Sequence, residues 1–200
     1  MEELVSCILS QHTADANSFP AFTRLRETFQ DWEDVVHAGP ERVAETIRNA
    51  GLANQKAKSI IGCLKAIKQA TGEYSLEILR DMPTLEARDW LTKLPGVGPK
   101  TASIVLCFSF GRETIPVDTH VFRVSKRLGL IPETDDEKKA HDTLLRIVPP
   151  DLSFRFHVAF IQHGRTICRA PVPNCGECHV SDVCPWFKFK AFSSPPKKRS

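Results

Sequence analysis

No apolar run in this 200-residue chain approaches the roughly 18 residues that a membrane-spanning helix needs. The N-terminus, Met1-Glu2-Glu3-Leu4, opens on two acids and not on the basic segment of a secretory leader. A soluble, cytoplasmic protein without a membrane partner or a secretion signal is expected. No stretch alternates strictly between apolar and polar over a strand's length, and no solenoid-type repeat recurs. Neither sign of charge dominates, since 27 Lys and Arg against 24 Asp and Glu leave a formal +3. That balance permits a nucleic-acid partner without demanding one. With 42% apolar residues, the chain has material for a core of ordinary size, in one domain or two small ones.

What is present is helical periodicity, so the fold class is all-α. The clearest case is 55–71, where Ala57, Ile60, Ile61, Leu64 and Ile67 form one apolar stripe. Lys56, Lys58, Lys65 and Lys68 are read there as a solvated face. Further helices are expected over 2–11, 21–29, 31–37, 40–50, 75–81, 84–93, 99–110, 118–128, 136–148 and 152–167, joined by short connections. The link at 111–116 and the Pro, Gly and Cys loop after Cys168 suggest two helical subdomains. The first is expected over 1–112, the second over 113–190, and a disordered basic tail over 191–200.

Seven cysteines are unevenly spread. Cys7, Cys63 and Cys107 sit in apolar, helix-like stretches and read as core. Cys168, Cys175, Cys178 and Cys184 crowd together, separated by six, two and five residues. Without a secretory leader this is a metal site before it is a disulfide framework. Four thiolates suit either a tetrahedral zinc or a [4Fe-4S] cluster.

Between two of the expected helices lies Leu94-Pro95-Gly96-Val97-Gly98, a helix-hairpin-helix signature. Its glycines allow a tight turn and a close backbone approach, so the amides of Gly96, Val97 and Gly98 and the helix N-terminus behind them can face a DNA phosphate. Such contacts position a protein without reading sequence. Lys100 follows in the first turn, a poor place for a cation because the helix dipole is positive there. It serves either as a phosphate contact or as a nucleophilic amine. Asp118, in Pro116-Val117-Asp118-Thr119-His120, stands where a helix N-cap is expected. It can also return to the lysine. Helix 99–110 rises about 18 Å, and the extended residues after it span roughly 20 Å. A carboxylate there would stabilise positive charge on a deoxyribose losing its base, or accept a proton from the lysine.

Taken together, LPGVGPKTA at 94–102, VDTHVFRV at 117–124, HGRTIC at 163–168 and the cysteine loop resemble the endonuclease III family of DNA glycosylase/lyases. The resemblance covers nearly the whole chain. It implies a helical barrel carrying the hairpin at 84–110, a cluster domain with its loop at 168–184, and a DNA-binding cleft between them. It further implies that Lys100 is the Schiff-base lysine, that Asp118 is the catalytic aspartate, and that the four cysteines of the loop hold a [4Fe-4S] cluster, with no nucleotide cofactor. The implied partner is double-stranded DNA with a damaged base or an abasic site, met by a monomer that is nucleoid-associated if bacterial. The implied reaction removes oxidised pyrimidines and then cleaves on the 3′ side by β-elimination. Because a stacked base is inaccessible, such enzymes extrude the nucleotide and fill the gap. The family match assigns that task to Leu52 and to Gln11 or His12. His120 joins the DNA contacts, Asp15 matches a family position near the lesion pocket, and Arg169 and Lys188 are basic groups of the cluster loop.

The chain departs from the family pattern in two places. Family members usually place glutamine where His12 aligns, and the sequence opens in what would be the family's second helix. More exposed apolar surface is therefore expected on the second subdomain. Adenine- and thymine-mismatch glycosylases match less well, because they lack a lysine at position 100. A noncatalytic DNA-binding module would need Gly96 and Gly98 but has no use for Lys100 with Asp118. For the cysteine loop, visible absorbance of the purified protein is decisive: thiolate-bound iron-sulfur absorbs there, and a colourless protein holding zinc is the contrary result.

Overall fold

The computed structural model describes residues 1–193, with side chains through Phe189. The described residues form helices and turns without strands. They fall into two compact units, one running from Met1 to Arg112 and the other beginning at Glu113.

The first unit contains α1 (Glu2–Ser10), α2 (Asp15–Thr28), α3 (Trp32–Thr46), α4 (Ala53–Thr71), α5 (Thr84–Thr92) and α6 (Pro99–Phe110). Its core is built from the apolar faces of these helices. Leu4, Ile8 and Leu9 of α1, Leu25 of α2, Val43 of α3, Ile60, Leu64 and Ile67 of α4, Leu91 of α5 and Val105 and Leu106 of α6 are all fully buried. Asp31 caps α3 by accepting from the Asp34 amide at 2.8 Å. Within α3 the backbone breaks at Gly39, with φ 77, so Pro40 starts what is effectively a second helix. That break falls between the two segments expected at 31–37 and 40–50.

Two expectations in this unit need correction. Helix α2 begins at Asp15, not at 21, and runs through Pro20 at the loss of one backbone hydrogen bond. The segment at 75–81 is only a short 3-10 turn over Glu77–Arg80. Arg112 stabilises that region by donating from Nη2 to the carbonyls of Leu79, Arg80 and Met82.

The second unit contains α7 (Thr119–Arg127), α8 (Glu137–Ile147), α9 (Ser153–Thr166) and α10 (Pro185–Ser193). Its smaller core joins Ile115, Val117, Val121, Ile131, Ala140, Leu144 and Val148, with Phe156 and Phe160 stacked beside it, ring centroids 3.8 Å apart. Asp136 caps α8 through the Lys139 amide. Helix α10 was not expected. Its Trp186, Phe187 and Phe189 follow Pro185 without a helical stripe. It also overlaps the start of the tail expected at 191–200, the rest of which lies outside the described residues. Ile147, Phe154 and Val158 are 49%, 50% and 43% exposed, so the surface of this unit carries apolar side chains. No helix among the described residues is long and apolar enough to cross a membrane.

The packing makes a contrast testable. Leu64→Ala, at 0% exposure, should cost about 2 to 5 kcal/mol of stability. Leu52→Ala, at 57% exposure, should stay within about 0.5 kcal/mol of the parent in the same urea titration.

Candidate active site and its DNA-binding elements

In the hairpin, helix α4 and the turn between α5 and α6 touch closely. Gly96 has φ 75, and a Cβ built there would lie 2.6 Å from Ser59 Oγ. A Cβ on Gly62 already lies 3.1 Å from the Pro95 ring, and the Cys63 thiol donates to the Pro95 carbonyl at 2.9 Å. Gly96 is thus required by the fold itself. Gly98 is different: its backbone is extended, with φ −92 and ψ 176, and nothing lies within 4 Å of an added Cβ. The space in front of Gly98 is open to a ligand. Val97, between them, is buried and anchors the turn in the core.

Pro99 occupies the first position of α6, where its missing N–H costs nothing, and Lys100 follows it. Lys100 is exposed and forms no hydrogen bond or ion pair among the described residues. The amine therefore projects from the helix N-terminus directly behind the hairpin. The charge of Lys100 is felt at Cys7. Burial and Glu3, which accepts from its thiol at 3.5 Å, push Cys7 far up, so it stays a neutral thiol.

Two turns flank the hairpin. In the turn after α1, Gln11 uses its side-chain amide to reach the Gly96 carbonyl at 2.9 Å and Thr101 Oγ1 at 3.3 Å, binding this turn to the hairpin. His12 is exposed, with φ 52. In the turn before α4, Leu52 has φ 48 and stands at the helix N-cap without a side-chain acceptor to offer. A left-handed backbone costs a branched residue on the order of 1 to 3 kcal/mol, and leucine is a poor cap. Burial of the side chain does not offset these costs, because it is exposed. Asp15 opens α2, where its charge suits the positive helix end.

In the second unit Asp118 caps α7. Its Oδ1 accepts from the amides of His120 at 2.9 Å and Val121 at 2.7 Å. The cap expected from sequence is real, and it uses one carboxylate oxygen. The extended segment leading to Asp118 is held by two buried histidines. His141 Nδ1 lies 3.0 Å from the Ile115 carbonyl and His157 Nδ1 lies 2.9 Å from the Pro116 carbonyl. A carbonyl only accepts, so both Nδ1 atoms carry the proton. His120 packs on Gly164, where a Cβ would come within 2.8 Å of its own Cβ. Arg123 Nη2 lies 3.2 Å from His120 Nδ1 and also donates to the Gly164 carbonyl. Arginine only donates, so the His120 N–H is on Nε2.

Cys168, Cys175, Cys178 and Cys184 line one cavity, together with Arg127, His163, Ile167, Trp186 and Phe187. All four are free thiols. The four do not gather tightly enough for a single ion, since no group of three or more His, Cys, Asp or Glu among the described residues could hold one. The expectation that these four cysteines form one metal site is corrected to that extent. They do sense each other: burial first, then Cys178, Cys168 and Cys184, push the Cys175 thiol up. Arg127 lies across the cavity wall, donating to Cys168 Sγ at 3.3 Å and stacking on the Trp186 ring at 4.6 Å. Its carbonyl accepts from the Cys184 thiol at 3.3 Å. Arg169 and Lys188 are exposed.

Sequence reasoning missed the histidines behind Asp118, the two arginines on α7 and, on α4, the burial of Lys56. Lys56 was assigned to the solvated face but is 3% exposed. The only sequence signal for it was its phase relative to the apolar stripe.

A family model described as HhH-GPD superfamily base excision DNA repair protein matches residues 5–150. A candidate DNA glycosylase of Arabidopsis thaliana is 39% identical over 193 residues, covering 94% of this chain and 66% of the plant protein. Endonuclease III of Escherichia coli K12 is 36% identical over 183 residues, covering 92% of this chain and 82% of that protein. Among solved structures, a trapped Endonuclease III-DNA covalent intermediate, an estranged-adenine complex, superposes with a TM-score of 0.81 at 34% identity. That match covers 94% of this chain and 84% of the solved one. The chain belongs to the HhH-GPD superfamily of base excision DNA repair proteins, in its Endonuclease III family.

The glycines of the hairpin separate fold from ligand. Gly96→Ala should destabilise by more than about 1 kcal/mol, because positive φ and the Ser59 contact both oppose it. Gly98→Ala should cost at most about 1 kcal/mol as a lost N-cap, yet weaken binding to a duplex abasic site in a gel-shift titration.

Proposed function

We propose that this chain is a bifunctional DNA glycosylase and abasic-site lyase that removes oxidised pyrimidines of the thymine glycol type from duplex DNA. The observation that carries this reading is the exposed, unpaired amine of Lys100 in the first turn behind a hairpin whose Gly98 opens onto free space.

In this reading, the hairpin amides and the N-terminus of α6 hold a backbone phosphate next to the lesion. Lys100 Nζ, in its neutral form, attacks C1′ of the extruded nucleotide, and the base departs with the electron pair of the glycosidic bond. Asp118 stabilises positive charge on the sugar as that bond breaks, or takes the proton that the amine sheds. The carboxylate oxygen outside the cap is suited to this. Ring opening gives the Lys100 imine, which acidifies C2′. Loss of the C2′ proton then expels the phosphate on the 3′ side. Leu52 and His12 fill the gap left in the duplex. The commitment of the Gln11 amide to Gly96 and Thr101 supports His12 over Gln11 in this reading. His120, with its proton on Nε2, donates to the DNA backbone.

Cys168, Cys175, Cys178 and Cys184 would hold a [4Fe-4S] cluster. Four thiols lining one cavity supply the donor set that such a cluster takes. The cluster would supply structural cross-linking of the loop to α7 and α9, and no step of the reaction needs it. A DNA substrate requires the enzyme in the compartment that holds the DNA, which in a bacterium is the cytoplasm at the nucleoid.

Borohydride trapping on duplex DNA with thymine glycol or an abasic site tests the reading. The parent should give a covalent adduct and Lys100→Gln none. Asp118→Asn should remain folded, since asparagine caps a helix as well as aspartate, and should lose on the order of a hundredfold or more in the glycosylase rate. Binding by the parent without adduct or strand cleavage would refute the bifunctional assignment.

A further inference from the structure

Lys56 is a cation in the first turn of α4, buried at 3% exposure, in the half of the helix dipole that opposes it. Burying an ammonium without partners is strongly unfavourable. Its three N–H groups are all matched: Nζ donates to the Leu9 carbonyl at 2.6 Å, to Thr13 Oγ1 at 2.6 Å and to the Ala50 carbonyl at 2.7 Å. Every acceptor is a neutral oxygen. Burial accordingly pushes the Lys56 amine down from its ordinary value.

The three acceptors belong to two different turns. Leu9 lies in the last turn of α1, where helix carbonyls lack internal partners, and Thr13 closes the turn that follows. Ala50 ends the short 3-10 turn at Arg48–Ala50, immediately before Gly51 and Leu52. The Thr13 hydroxyl, while accepting from Lys56, donates to the Ala50 carbonyl in turn. One ammonium therefore ties the end of α1 to the entrance of α4. Directly beside these tied atoms stand His12 and Leu52, the two non-glycine residues with positive φ among the described residues, both exposed. A strained backbone persists only where its surroundings over-determine it.

We propose that Lys56 is a positioning residue that clamps these two strained turns at a fixed spacing, so that His12 and Leu52 enter the duplex as one preformed wedge. The clamp rests on the wedge reading given above for those two side chains. It acts by preorganisation: two loops ordered beforehand need not be ordered when DNA binds. Lys56 touches neither substrate nor reacting atoms.

The readout is the ratio of borohydride-trapping rates on an abasic site in a duplex and on the same strand alone, since only the duplex requires extrusion and gap filling. Lys56→Met should lower that ratio on the order of tenfold to a hundredfold. Leu52→Ala and His12→Ala should lower it in the same direction, and Lys56→Met should add little to Leu52→Ala. Thr13→Val, which removes one of the three acceptors, should give a smaller fall and decides the matter if Lys56→Met does not fold. A lysine that merely supports the fold would lower both rates equally and leave the ratio unchanged, which overturns the clamp. If Leu52→Ala and His12→Ala lower the ratio while Lys56→Met and Thr13→Val leave it intact, the clamp fails and the wedge stands. If Leu52→Ala and His12→Ala leave it intact, the wedge reading falls and the clamp with it.

Discussion

The close approach of α4 to the hairpin is the constraint on which the first unit is built. Gly96 lacks a Cβ where Ser59 needs the room, Gly62 makes way for Pro95, and the Cys63 thiol satisfies the Pro95 carbonyl. A larger residue on either side would lift the turn away from the helix. With the turn seated, α6 starts from a fixed point, and the orientation of Lys100 follows from the first turn of that helix. Helix α4 also carries Lys56 toward the ends of α1 and of the Arg48–Ala50 turn. Hairpin and flanking turns are thereby referenced to one rigid element instead of to each other through flexible loops.

The second unit solves a similar problem with different chemistry. Asp118 follows an extended stretch that has no sheet to pair with, so its carbonyls must find other donors. His141 from α8 and His157 from α9 supply them at Ile115 and Pro116. The carboxylate is then fixed by the amides of α7. Local order around it thus comes from three helices, while its own side chain commits only one oxygen.

Much of this was legible in the sequence. The α4 stripe, the start of α6 at Pro99 and the cap at Asp118 are local signals, each written within a few helical turns, and the structure has them where periodicity and capping place them. The break at Gly39 was also readable, because Gly-Pro cannot continue a helix. What was illegible depends on distant partners. Lys56 is separated from Leu9 by forty-seven positions, and charge alone suggested a solvated residue. Its phase told otherwise: Lys56 lies four residues before Ile60 and eleven before Ile67, on the stripe and not opposite it. The Gln11 amide, read as a candidate for the duplex gap, is held by Gly96 eighty-five positions away. Helix α10 was hidden because its aromatic residues show no period of 3.6. The cysteines were found by spacing, but spacing says nothing of how widely a cavity sets them.

Lys56, Ser59 and Cys63 recur at intervals of three and four on α4, so a single face of that helix meets both the paired turns and the hairpin. Each residue of an α-helix advances the face by about 100°. An insertion or deletion of one residue between Lys56 and Cys63 would leave every side chain present and the helix intact, yet turn one set of contacts away from the other. What α4 contributes is therefore phase: it works as an indexing shaft whose value lies in the angle between its fittings, and insertions of a whole turn or none are what it can absorb.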